Sequence, residues 1–248
     1  AFEIAGQTVA PGSRQTVSLE IGRLYTHTHL ELVAEVIHGR REGPVLLVCA
    51  AIHGDELNGV EICRQLMKRK GLERLRGTLI IVPVVNIFGF LHRSRYLPDR
   101  RDLNRCFPGS ERGSMGARFA HSFVSEVLHK CSHVIDLHTG AVHRSNLPQV
   151  RANLDDPVVL KMAESFGAPL MLNAALRDGS LRGCADEAGI PLILYEAGEA
   201  LRFNDYAIKA GLSGVINVMR ALEMLPAVRR KTRPLSEIAR SSGWVRAE

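Results

Sequence analysis

No C-x-x-C pair occurs among the five cysteines, Cys49, Cys63, Cys106, Cys131 and Cys184, and their number is odd. Neither a disulfide framework nor a zinc ribbon is therefore indicated, and reduced thiols are expected. Long apolar runs are also missing: the longest, Val45 to Ile52, has eight residues, far below the roughly 20 that span a bilayer. No charged n-region leads into an apolar h-region at the start, although Ala1 stands where Met would open a chain, so a cytoplasmic location is the default expectation. Aromatics are scarce, at 5% with one tryptophan, Trp244, which leaves few platforms for stacking bases. The net charge of +6 does not reverse that conclusion. Residues 227–248 hold Arg229, Arg230, Lys231, Arg233, Arg240 and Arg246 against Glu237 and Glu248, a net +4, so the body keeps only +2 and has no basic stripe for nucleic acid. There is no G-x-S-x-G elbow, no Walker-type phosphate loop and no G-x-G-x-x-G fingerprint. Serine-nucleophile chemistry and nucleotide cofactors are disfavoured accordingly.

What remains is an ordinary globular composition, 46% hydrophobic and 23% charged, in a chain of 248 residues, which is enough for one large domain with a sizeable core. Short β-rich runs alternate with longer helical patterns, the signature of an α/β domain around a largely parallel sheet with helices on both faces. Strands are expected at Leu30–Ile37, Val45–Ala51, Thr78–Val84, His133–Leu137, Pro169–Leu172 and Leu192–Tyr195, and helices at Glu56–Lys70, Ser114–His129, Pro157–Phe166, Ser180–Ala188 and Asn204–Met224. From Ala227 the pattern changes to a basic run, Pro234 and a Ser-Ser-Gly turn, which reads as a linker or a frayed tail.

Ligands of open α/β sheets collect at the C-terminal ends of strands, and the polar clusters of this chain fall there. His53-Gly54-Asp55-Glu56 follows the run Val45–Ile52, and imidazole plus carboxylate suit zinc. His138, in Asp136-Leu137-His138-Thr139-Gly140, ends another apolar strand 85 residues later and offers a third ligand. Strand alternation puts Asp136 on the side of His138, where its carboxylate can orient the imidazole. A catalytic zinc site needs a base for its water, and Glu196 in Tyr195-Glu196-Ala197-Gly198-Glu199 lies at a third strand end, with Glu199 its competitor. Arg93, Arg95, Arg100, Arg101 and Arg105 crowd thirteen residues. Such a run is commonly a solvated loop, yet an arginine fork beside an amide such as Asn104 also suits a substrate carboxylate. His27, His29, His38, His92, His121, His129, His133 and His143 belong to no such cluster and read as surface or packing residues.

The motifs H-G-D-E, D-L-N-R-x-F-P-G, D-L-H-T-G and Y-E-A-G, in this order, resemble the succinylglutamate desuccinylase and aspartoacylase family, a branch of the zinc carboxypeptidase superfamily, over about Val45 to Leu225. The resemblance implies a three-layer α/β/α sandwich with a mixed, mostly parallel eight-stranded sheet, and hydrolysis of the amide bond of an N-acylated amino acid. It implies one zinc per chain held by His53, Glu56 and His138, with Glu196 activating the water and protonating the departing amine. Asn104 and Arg105 would grip the substrate carboxylate, and Arg95 would polarise the scissile carbonyl, a role that Arg93, Arg100 or Arg101 could take in a different loop arrangement. A metallocarboxypeptidase or peptide amidase, or a ligand-binding relative without turnover, would use the same residues. The implied partner is a small carboxylate-bearing amide, with no nucleic acid and no membrane, and a homo-oligomer stays open. Residues 1–226 would form the catalytic domain, and 227–248 a linker and the start of a smaller β-domain cut short. Asn58 stands where related sequences more often carry threonine, with no mechanism attached.

Overall fold

The computed structural model describes residues 1–23, 26–228 and 236–241. In chain order it comprises β1 (Phe2–Ile4), β2 (Gln7–Val9), β3 (Ser13–Arg23), β4 (His29–His38), β5 (Arg41–Ala50), α1 (Asn58–Met67), β6 (Arg76–Val82), α2 (Ile87–His92), α3 (Met115–Glu126), β7 (His133–Gly140), β8 (Asn146–Ala152), α4 (Pro157–Phe166), β9 (Leu170–Asn173), α5 (Leu181–Glu187), β10 (Leu192–Glu199), α6 (Asp205–Ala221) and β11 (Glu237–Ala239). β1 and β2 make a separate hairpin, and the other strands form one sheet in the order β11-β9-β8-β10-β7-β5-β6-β4-β3. β10, β7, β5 and β6 run parallel at its centre, while β8 and β4 join on either side in antiparallel fashion.

The continuous apolar runs occupy the sheet centre because both faces are covered. Within β5, Leu46, Val48 and Ala50 point into a core shared with Ile62 and Leu66 of α1, Phe166 of α4 and Val215 and Met219 of α6. Leu47 and Cys49 point the other way, toward Phe119 and Phe123 of α3 and Leu181 and Cys184 of α5. Each fully buried Leu, Ile or Phe contributes about 1.5–3 kcal/mol, so the middle strands are the rigid part of the molecule and their ends are fixed platforms. Side-chain caps stop the helices where the sequence indicates. Ser114, Asp156, Ser180 and Asn204 each accept a backbone N–H of the first turn of α3, α4, α5 and α6, worth about 1 kcal/mol apiece.

The mixed, mostly parallel sandwich is as expected, with one correction: among the described residues the main sheet has nine strands, not eight. Glu237–Ala239, inside the stretch read as a linker, pairs in parallel with Leu170–Leu172 of β9 and forms the ninth. Residues 229–235, with the basic run, and 242–248, with Trp244, lie outside the described residues. The helix expected over Ser114–His129 breaks at Val127 and continues as a 3-10 turn, Leu128–Lys130. β8 had no clear signal, since Asn146-Leu147-Pro148-Gln149 is polar and carries a proline. The proline is tolerated because the β8–β10 pairing shifts register between Glu196 and Gly198, where a missing N–H costs little. All five cysteines are free, and among the described residues no helix is long and apolar enough to cross a membrane.

Candidate metal centre and its cavity

β5 ends in a turn held from both sides. Ala51 adopts a left-handed conformation (φ 52°), which costs a non-glycine residue about 1–2 kcal/mol, and the turn is fastened by Val85 N–H donating to Ala50 O and Asn86 N–H to Ala51 O, both at 2.9 Å. Gly54 is pressed against the backbone of α2: a Cβ there would lie 1.9 Å from the Gly89 carbonyl carbon. The chain is thereby folded tightly enough that Glu56 N–H reaches His53 O at 3.1 Å and both side chains face the same space before α1 begins at Asn58.

His53, Glu56 and His138 meet there, each buried, with their ligand atoms all within 4.8 Å of one another. His53 Nδ1 lies 2.8 Å from Glu56 Oε1 and His138 Nδ1 2.9 Å from Glu56 Oε2. The opposite ring nitrogens face further carboxylates: His53 Nε2 donates to Asp102 Oδ1 at 3.2 Å, and His138 Nε2 to Asp136 Oδ2 at 2.8 Å. With both protons on Nε2, two imidazole lone pairs and a carboxylate converge without a donor among them. That donor set fits a divalent cation, and the carboxylate–imidazole pairing behind each ligand is what metal-binding histidines commonly show. The surrounding carboxylates favour positive charge at this centre. Burial would lower the pKa of His138 and of His53, but Asp136 and Glu56 hold the first well above its ordinary value, and Glu56 and Asp102 raise the second. Burial would raise Glu56, yet the two imidazoles outweigh it and hold the carboxyl far below the usual range.

Asp102 also organises the arginine-rich loop. Arg95 binds its Oδ2 through Nε at 3.2 Å and Nη2 at 3.1 Å and reaches Glu56 Oε1 at 3.5 Å. Asp102 further accepts the Asn104 N–H at 2.9 Å, capping the turn Leu103–Arg105. Asn104 is fixed by Leu181 N–H donating to its Oδ1 at 2.9 Å, and Arg105 donates to the Asn104 carbonyl. Of the four arginines considered for the carbonyl, Arg95 lines the cavity with the triad, and Arg93, Arg100 and Arg101 do not.

Glu196 sits on β10 directly across from His138 of β7 in the parallel register. Its carboxylate is held from β8, by Asn146 Nδ2 at 2.6 Å on Oε1 and Arg151 Nη1 at 3.3 Å on Oε2. Glu199 is separated from it: it accepts the His143 N–H at 2.8 Å, lies 3.7 Å from Arg202, and is not part of the cavity wall, nor is His143. The cavity, about 1000 Å³, thus brings together all seven expected site residues, His53, Glu56, Arg95, Asn104, Arg105, His138 and Glu196. Sequence reasoning missed Asp102, Asn146 and Arg151. Asp102 was in plain view at the head of D-L-N-R, but nothing in the chain says that it faces an imidazole 49 positions earlier.

The catalytic-domain model of succinylglutamate desuccinylase/aspartoacylase matches residues 42–222, a span containing every one of these side chains. The chain belongs to that family. Among its relatives is the N-alpha-acetyl-L-2,4-diaminobutyric acid deacetylase of Halomonas elongata, 35% identical over 136 residues, a match covering 52% of this chain and 40% of the deacetylase. A crystal structure of a succinylglutamate desuccinylase/aspartoacylase from Rhodobacter sphaeroides superposes with a TM-score of 0.77 at 28% identity, covering 86% of this chain and 66% of that one. The product-bound ectoine utilization protein EutE (DoeB) from Ruegeria pomeroyi, at 23% identity, shares the fold with a TM-score of 0.82 over 91% of this chain and 72% of its own. The chain thus spans less than two thirds of the curated deacetylase and of the Rhodobacter protein.

Proposed function

We propose that this family member is a zinc-dependent amide hydrolase that removes the acyl group from an N-acyl amino acid. The observation that carries the reading is the register of β7 and β10. It sets the proposed base, Glu196, beside the third ligand, His138, on adjacent strands roughly 4.8 Å apart, with the other two ligands facing the same cavity. One zinc per chain, held by His53, Glu56 and His138, would supply a Lewis acid that polarises a carbonyl and lowers the pKa of a water.

Around it the chain's own residues have distinct tasks. Glu196 takes a proton from the attacking water and delivers it to the departing nitrogen, so that the C–N bond breaks as a C–O bond forms and a carboxylic acid and an amine leave. Asn146 and Arg151 hold both oxygens of Glu196 while it does so. Arg95, kept at the edge of the triad by Asp102, faces the negative charge that develops on the carbonyl oxygen. Asn104 and Arg105 grip the substrate carboxylate. We assign this activity to residues 1–226 together with β11, which completes the catalytic sheet, in a cytoplasmic protein.

The test is amine release from N-acetyl and N-succinyl amino acids and short peptides, with zinc supplied and a chelated control, in the wild type and in Glu196→Gln. Wild-type turnover of small acyl amino acids, lost in the variant while zinc analysis shows the metal still bound, is the expected result. Turnover retained by Glu196→Gln would remove the base, and cleavage restricted to peptides would move the protein to the carboxypeptidase side.

A further inference from the structure

Between α2 and α3 the chain runs from Arg93 to Ser114 with one 3-10 turn, Leu103–Arg105, as its regular structure. A connection of this length keeps its shape through a few anchors. Leu97, Leu103 and Phe107 supply the buried apolar ones, and the polar ones converge on a single carboxylate. Asp102 Oδ1 accepts His53 Nε2–H at 3.2 Å and Asn104 N–H at 2.9 Å, while Oδ2 accepts Arg95 Nε–H at 3.2 Å and Nη2–H at 3.1 Å. These three partners have different tasks in the reading above: a metal ligand, the arginine that faces the carbonyl oxygen, and the first residue of the carboxylate grip. Behind the grip, Leu181 N–H donates to Asn104 Oδ1 at 2.9 Å and Phe107 N–H to Gly179 O at 3.0 Å.

His138 is supported in a different way. Its carboxylate, Asp136, belongs to β7 in the middle of the sheet, and among the described residues its side-chain oxygens pair with His138 at 2.8 Å and with Cys49 Sγ at 3.6 Å, not with the loop. One ligand histidine is thus tied to the rigid sheet and the other to residues 93–114. A ligand that orders such a segment lowers the ordering cost for the next ligand that needs it. We propose that Asp102 is a positioning residue that couples metal loading to the grip on the substrate carboxylate. A metal that holds the His53 ring orders the turn through Asp102, so that Asn104 and Arg105 bind a carboxylate more tightly, and a bound carboxylate tightens the metal by the same factor. The inference rests on the proposed ligand set and grip and needs no turnover.

The experiment uses butyrate, a carboxylate without an amine or amide, as the probe. Calorimetry measures its affinity for the chelator-treated and the zinc-saturated protein, in the wild type, Asp102→Asn and Asp136→Asn. Hydrogen exchange of peptides covering residues 93–107 is followed with and without zinc, before any butyrate is added. In the wild type, zinc alone should slow exchange in these peptides and tighten butyrate about five-fold or more, the lower end of common coupling factors. Asp136→Asn should keep that gain once saturated with zinc, whereas Asp102→Asn, which sets an amide N–H2 among three donors, should lose it together with the exchange response. A butyrate that simply sat on the zinc would gain equally in both variants. A gain kept by both variants, or lost by both, therefore overturns the link. Wild-type exchange unchanged by zinc also overturns it, and this decides the matter even if Asp102→Asn fails to fold. Amine release from acyl amino acids without coupling leaves the hydrolase standing and removes the link. Coupling without amine release from any substrate supports the link and overturns the hydrolase. A wild type that binds no zinc overturns both.

Discussion

Asp136 is among the most buried charged residues in the chain, and its hydrogen bond to His138 Nε2 leaves the ring's other nitrogen free to face a metal. Removing the charge while keeping the shape therefore tests ligand orientation without touching a ligand. Asp136→Asn should weaken zinc binding by about 10- to 100-fold, as read by competition with a chelating dye, because the ring loses both its fixed tautomer and part of its basicity. Unchanged affinity would mean that the pairing serves packing alone. This residue was legible in advance because strand alternation places positions 136 and 138 on one face. Asp102, which does the same for His53, was not, since loop residues carry no periodicity that relates them to a strand end far away in the chain. The competition between Glu196 and Glu199 was likewise open until β10 was seen to bulge after Glu196, leaving Glu199 on the His143 backbone.

Elements meet at the site through two residues outside the triad. Asn58, at the start of α1, donates to Ala197 O at 3.1 Å and accepts the Asn204 N–H at 2.9 Å, so it ties the helix that follows Glu56 to the strand end that carries Glu196 and to the cap of α6. Gly198, at φ 73°, leaves room for this side chain: a Cβ there would stand 2.6 Å from Asn58 Nδ2. Here the structure supplies the account that the sequence lacked for the asparagine. Asn58→Ala removes the partner of the buried Ala197 carbonyl and of the part-buried Asn204 N–H, and should cost about 1–3 kcal/mol in denaturant unfolding. Gly54→Ala, forced against the α2 backbone, should destabilise by roughly 3 kcal/mol or more, with zinc affinity falling as the His53–Glu56 turn opens. A Gly54→Ala protein with wild-type stability and affinity would show that the turn can shift aside freely. The central strands and the capped helices were readable because their apolar periods and cap residues are local. β3, β8 and β11 were not, since their pairing is decided by neighbours remote in sequence.

For the whole molecule, the triad joins the ends of β5 and β7, two adjacent strands in the middle of the sheet whose side chains reach both cores. A metal held there by ligands 85 residues apart binds the folded chain and has no comparable site in the unfolded one. Folding and metal loading are then linked. At free zinc about 1,000 times its dissociation constant the folded state gains about 4 kcal/mol. The unfolding midpoint of the chelator-treated protein should therefore rise on zinc addition, more steeply than any change produced by magnesium, whose preference for oxygen ligands and water suits this nitrogen-rich set poorly. His53→Ala and His138→Ala should each lose most of that rise, whereas Glu196→Gln should retain it, because Glu196 is placed beside the ligands and not among them. A zinc-dependent rise that survives the loss of either histidine would locate the metal elsewhere in the chain. A rise lost in Glu196→Gln would make that carboxylate a fourth ligand, and its role as base would fall with the same measurement.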